Sequence, residues 1–206
     1  MIEVSCFYSL SSPWAYFAGP KQQDIVRRHP VRLILKPFDF QEVVPRTGGV
    51  PLRTRPGPRR TYHARELERW RDYLGMPLHL TPKYYPADGK PAGWNKPPGW
   101  MVIAAQERGL DAQRLSHALL RALWAEERDT PDRKVRIAVA NENGLPGEEL
   151  AAAEQSAPVQ ALYQDYSGEA ERLGVFGAPT YVLAGERFWG QDRLDFLERA
   201  LARLRA

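Results

Sequence analysis

One cysteine, Cys6, stands among 206 residues, so the chain can form no internal disulfide and owns no dithiol pair. The four histidines, His29, His63, His79 and His117, are scattered without metal-ligand spacing, and no metal site is expected. No apolar run approaches the ~18–20 residues of a membrane-spanning helix. The first ten residues, MIEVSCFYSL, lack a basic stretch and contain Glu3, which does not fit a secretory leader. A lone cysteine without a leader points to the cytoplasm. Internal repeats and low-complexity tracts are also missing. What is present is the ordinary balance of a soluble globular chain, 43% hydrophobic and 26% charged residues, enough for one domain or one domain with an insertion.

The net charge is +4 and the isoelectric point about 9.3. Much of the excess is arginine between Arg46 and Arg71, where Arg53, Arg55, Arg59 and Arg60 crowd together. No zinc-finger spacing or RNA-binding signature accompanies them, so no nucleic-acid partner is expected. Their planar forks suit carboxylates on small anionic ligands; the alternative is a merely solvated patch.

Ile2–Tyr8 is apolar and β-favouring, and reads as a buried strand. Ser12 followed by Pro13 marks a helix start, with a helix expected to about Arg28. Val31–Phe38 reads as a second strand, parallel to the first because a helix connects them. A long loop is expected from Asp39 to Pro58 and another from Tyr84 to Gly99. Helical patterns cover about His63–Leu74, Trp100–Arg108, Ala112–Glu127, Pro131–Asn143, Pro146–Gln155 and Pro158–Leu173. Thr180–Leu183 and Glu186–Phe188 flank the turn Ala184-Gly185, and a final helix follows Gln191-Asp192 to about Leu204. The order β-α-β, helices, β-β-α is that of an α/β thioredoxin-like fold carrying a large all-helical insertion. The expected boundaries are 1–62 with 174–206 for the thioredoxin-like part and 63–173 for the insertion.

In such a fold, chemistry sits where the first strand enters the first helix, here Ser12-Pro13-Trp14-Ala15. Dithiol enzymes need cysteine at both ends of that quartet, and this chain has serine and alanine; dithiol exchange is therefore excluded. The helix start remains an anion site, since its backbone N–H groups and dipole favour negative charge. Ser12 is read either as a plain N-cap or as a donor to a thiolate brought in by another molecule. Gly177-Ala178-Pro179, just before the third strand, is either an ordinary turn or a cis-proline beside that helix start. Asp192 is either the N-cap of the last helix or a carboxylate for a ligand's ammonium group.

These motifs in this order resemble the 2-hydroxychromene-2-carboxylate isomerases and their relatives, the kappa-class glutathione transferases. The likeness rests on the Ser12–Tyr16 junction, Arg69-Trp70 with Tyr73–Leu78, Ala122-Leu123-Trp124, and above all GVFGAPTYVLAGERFWGQDRL from Gly174 to Leu194. It implies glutathione as cofactor, with Ser12 at its sulfur and Gly177, Ala178 and Pro179 along its cysteinyl backbone. It further implies Gln191 and Asp192 at the γ-glutamyl end and Arg59 as the basic contact preceding Tyr62. Arg53, Thr54 and Tyr84 are then expected to line the pocket of an aromatic 2-oxo acid, and a homodimer is expected. Gly48-Gly49 stands where many relatives carry Gly-Asn, which removes one side-chain amide. The implied activity is reversible thiolate addition that isomerises the acid without consuming glutathione; a glutathione transferase and a non-catalytic binding module remain the alternatives.

Overall fold

The computed structural model describes residues 1–85 and 93–204. Strand β1 (Ile2–Tyr8) pairs in parallel with β2 (Val31–Pro37), from Ile2 opposite Val31 to Tyr8 opposite Pro37. Helix α1 (Pro13–Arg28) makes the crossover. β3 (Thr180–Leu183) runs antiparallel to β1, with Phe7 opposite Thr180, and β4 (Glu186–Trp189) closes a hairpin on it. The sheet order is β2-β1-β3-β4.

The expected loop from Asp39 to Pro58 is largely helical. Helix α2 (Phe40–Arg46) is capped by Asp39, whose carboxylate accepts from the Glu42 N–H at 3.2 Å. Phe40, Val43 and Val44 share one face, and Val43 and Val44 are buried against Phe7 and Phe38 under the sheet. A 3-10 turn occupies Leu52–Thr54, and α3 (Gly57–Leu74) begins well before His63. Helix α4 (Lys96–Glu107) also starts early, because Pro97 and Pro98 occupy its first turn, where no N–H is needed. The middle of the expected Tyr84–Gly99 loop, residues 86–92, lies outside the described residues.

Helices α5 (Ala112–Trp124), α6 (Arg133–Glu142), α7 (Gly147–Ala153) and α8 (Ala157–Arg172) follow, with α9 (Leu194–Arg203) after the sheet. One apolar cluster runs from Val4 and Tyr181 in the sheet through Tyr16 and Phe17 of α1 to Met101, Leu119 and Trp124 in the helices. Sheet and helical block are thus joined through α1, whose first turn is fixed from both sides. Among the described residues no helix is long and apolar enough to cross a membrane.

Candidate active site

β1 ends at Tyr8, and the Ser12 N–H donates to the Ser9 carbonyl at 3.0 Å, turning the chain into α1. Ser12 is the N-cap, and its Oγ accepts from the Ala15 N–H at 3.2 Å. The same Oγ donates to the Ala178 carbonyl at 3.4 Å, a long and easily surrendered contact. The Ala178–Pro179 bond is cis. Around it, Thr180 Oγ1 donates to the Gly177 carbonyl at 2.8 Å and the Gly190 N–H to the Pro179 carbonyl at 2.9 Å. The two motifs separated by more than 160 residues therefore meet at a single point.

That point opens on a cleft of about 600 Å³. Ser12, Gly177, Ala178, Gln191, Asp192, Arg53 and Arg59 all line it. Pro179 lies behind the wall, and Thr54 and Tyr84 are not on it. Thr54 instead donates to the Pro51 carbonyl within its own turn, and Tyr84 packs against the core beneath Lys83. In their places stand their chain neighbours Arg55 and Tyr85. In a turn, adjacent side chains diverge, so a position read one residue off faces the wrong way.

Two further residues come from α1 and α3 together. Trp14 Nε1–H donates to His63 Nε2 at 3.2 Å, with the rings perpendicular and 5.4 Å apart. Burial and the nearby Arg55 guanidinium push the His63 imidazole down to about 4. Burial likewise raises the Tyr85 phenol, opposed by Arg53 and Arg55. Only a contact across 49 positions reveals His63, and nothing local in the sequence marks it.

The charges are unevenly held. Arg55 Nε donates to the Val50 carbonyl at 2.8 Å, while Arg53 and Arg59 make no ion pair or hydrogen bond among the described residues. Asp192 pairs with Arg193 at 2.7 Å, both side chains well exposed. Gln191 is buried as a residue, and its side-chain amide, on the cleft wall, has no hydrogen-bond partner among the described residues. On the other wall Gly177 lies under Trp189, where a Cβ would fall 2.2 Å from Nε1. Gly49 is equally constrained: a Cβ there would sit 2.2 Å from the Phe176 carbonyl oxygen. The backbone at this position accepts no amide side chain.

A family model described as "DSBA-like thioredoxin domain" matches residues 3–202. The chain belongs to that family. A 2-hydroxychromene-2-carboxylate isomerase from Sphingobium xenophagum is 29% identical over 200 residues, covering 96% of this chain and 97% of that one. A solved 2-hydroxychromene-2-carboxylate isomerase superposes with a TM-score of 0.76 at 24% identity, covering 98% of this chain and 96% of that one. The cytosolic disulfide reductase DsbM from Pseudomonas aeruginosa, solved with GSH, superposes at 0.67 with 22% identity, covering 98% and 100%. This DSBA-like chain has no redox dithiol. Its Cys6 is 2% exposed, and burial pushes the thiol far above its ordinary range.

Proposed function

We propose that this protein is a glutathione-dependent isomerase that interconverts 2-hydroxychromene-2-carboxylate and trans-o-hydroxybenzylidenepyruvate. The observation that carries the reading is Ser12: a hydroxyl at a helix N-terminus beside the Ala178 backbone, facing an arginine-lined cleft in a chain with no usable thiol. The relatives named as isomerases support the reaction class.

The residues fit glutathione in three ways. The unpartnered Gln191 amide offers donors and an acceptor to a γ-glutamyl group. Asp192 can exchange the exposed Arg193 for a ligand ammonium group at little cost. Arg59 is free to take a carboxylate as a bidentate pair. When bound, glutathione supplies a sulfur nucleophile that adds reversibly to the conjugated carbon of the acid.

The chain does the rest. Ser12 turns its proton from the Ala178 carbonyl toward the anionic sulfur, while the Ala15 N–H continues to orient its oxygen. A charge-assisted hydrogen bond of ~1.5–3 kcal/mol lowers a thiol by roughly one to two pH units. Arg53 holds the carboxylate of the acid, and the rings of Trp14 and Tyr85 flank the aromatic part and exclude water. The reading also assigns the protein to the cytoplasm, where glutathione is kept reduced, and to a homodimer.

Mass spectrometry of a reaction mixture tests it. A rearranged free acid with glutathione recovered intact is expected. Accumulation of a covalent glutathione adduct contradicts it and indicates a transferase.

A further inference from the structure

His63 has no place in that scheme, yet it lines the same cleft as Ser12 and Arg53. The indole N–H of Trp14 can only donate. His63 Nε2, its partner at 3.2 Å, must therefore be the unprotonated nitrogen. Neutral imidazole then carries its proton on Nδ1. That atom has no hydrogen-bond partner among the described residues. Burial and Arg55 keep the ring neutral through the physiological range. A neutral donor of fixed tautomer thus stands in a cleft whose carboxylate-binding work is already met by free guanidinium groups.

Resting on the isomerase reading above, we propose that His63 is a catalytic hydrogen-bond donor. Its Nδ1–H binds the 2-oxo oxygen of the acid, and Trp14 acts as the positioning residue that fixes the tautomer. As a nucleophile adds to the conjugated carbon, the C=C electron pair shifts toward that oxygen and the former double bond rotates. On expulsion the pair returns with no proton transferred in this step, while opening or closing of the chromene hemiketal separately moves its hydroxyl proton to or from the phenol oxygen. The oxygen gains charge in the transition state, so a donor aimed at it favours the transition state over the ground state. An imidazolium would instead compete for the substrate carboxylate. A neutral histidine polarising a carbonyl is a known catalytic pattern.

Three measurements test the assignment. Nitrogen-15 NMR of the wild-type protein should show His63 protonated on Nδ1 at neutral pH, and Trp14→Phe should release that tautomer. His63→Phe should lower kcat ~10–100-fold without altering glutathione affinity, and His63→Asn, which restores an amide donor, should recover part of the loss. Infrared difference spectra of bound 2-oxo-4-phenylbutanoate, which has no double bond to attack, should give a lower carbonyl frequency in wild type than in His63→Phe. A histidine that merely braces Trp14 would leave that frequency unmoved. Equal frequencies in the two proteins, an Nε2–H tautomer, or an unchanged kcat overturns the proposal. Failure of the isomerase reading has its own signature: no rearranged acid from wild type, whatever the carbonyl frequencies show.

Discussion

Ser12 carries two duties that a single substitution separates. As an N-cap it contributes ~1 kcal/mol to stability; as a donor to an anionic sulfur it controls turnover. Ser12→Ala should therefore unfold at slightly lower urea, keep its circular dichroism, and lose ~10–100-fold in turnover. Unchanged turnover across pH would remove the donor role. His63 makes a second prediction through its depressed pKa. The unfolded chain takes up a proton near 6.5, the folded protein only near 4. Unfolding therefore binds a proton in that window, and stability should fall as pH drops from about 6.5 toward 4. Half-buried His117, shifted down by desolvation and by Arg121, adds in the same direction. Urea melts at pH 7 and pH 5 check this, and His63→Asn should flatten the slope. That Ser12, Ala178, Gln191 and Asp192 share one cleft wall is legible because each belongs to a short local motif. His63 and Tyr85 were not, since only folding brings α3 and the chain before α4 to the first turn of α1.

Among the secondary-structure elements, β1, α1, β2 and the terminal β-hairpin follow from period, caps and turn residues, whereas Asp192 does not cap the last helix: Gln191–Arg193 is a 3-10 turn, and α9 begins at Leu194 without a side-chain cap. Helix α2 did not, because Pro45, Gly48, Gly49 and Pro51 dominate its neighbourhood. The overlooked signal is Asp39 with Glu42 three residues later, a capping-box pattern ahead of Phe40, Val43 and Val44. Two prolines likewise hid the start of α4, although proline suits a first helical turn. Asp39 does more than cap. Its carboxylate also meets Lys96 of α4 at 2.8 Å, and its backbone N–H donates to Ser167 Oγ of α8 at 2.9 Å. Asp39→Ala should cost ~1–3 kcal/mol in urea unfolding, whereas Asp39→Asn, which retains the cap, should cost less. Equal losses would show that the ion pair, not the cap, dominates.

Across the whole molecule, the element order was enough to place two parallel strands, an antiparallel hairpin and a helical block between them. It could not show that one apolar core continues from sheet to helices, because such packing depends on side chains distant in sequence. One polar interaction lies deep in the helical block. Arg136 of α6 and Glu154, after α7, pair with side chains 3% and 0% exposed, and Arg136 also donates to the Thr130 carbonyl at 3.0 Å. Glu154→Ala strands a buried guanidinium and should cost ~3–5 kcal/mol, seen as a lower Tm, while glutathione affinity of the folded protein is unchanged. A Tm equal to wild type would mean that water reaches the pair.

The central claim is that a chain without a usable sulfur lowers the pKa of a visiting one. Ultraviolet thiolate absorbance of glutathione, followed against pH with and without the protein, reads this directly. The account predicts that bound glutathione ionises roughly one to two pH units below free glutathione, and that Ser12→Ala reverses most of that shift. Identical titration curves for free and protein-bound glutathione would contradict it.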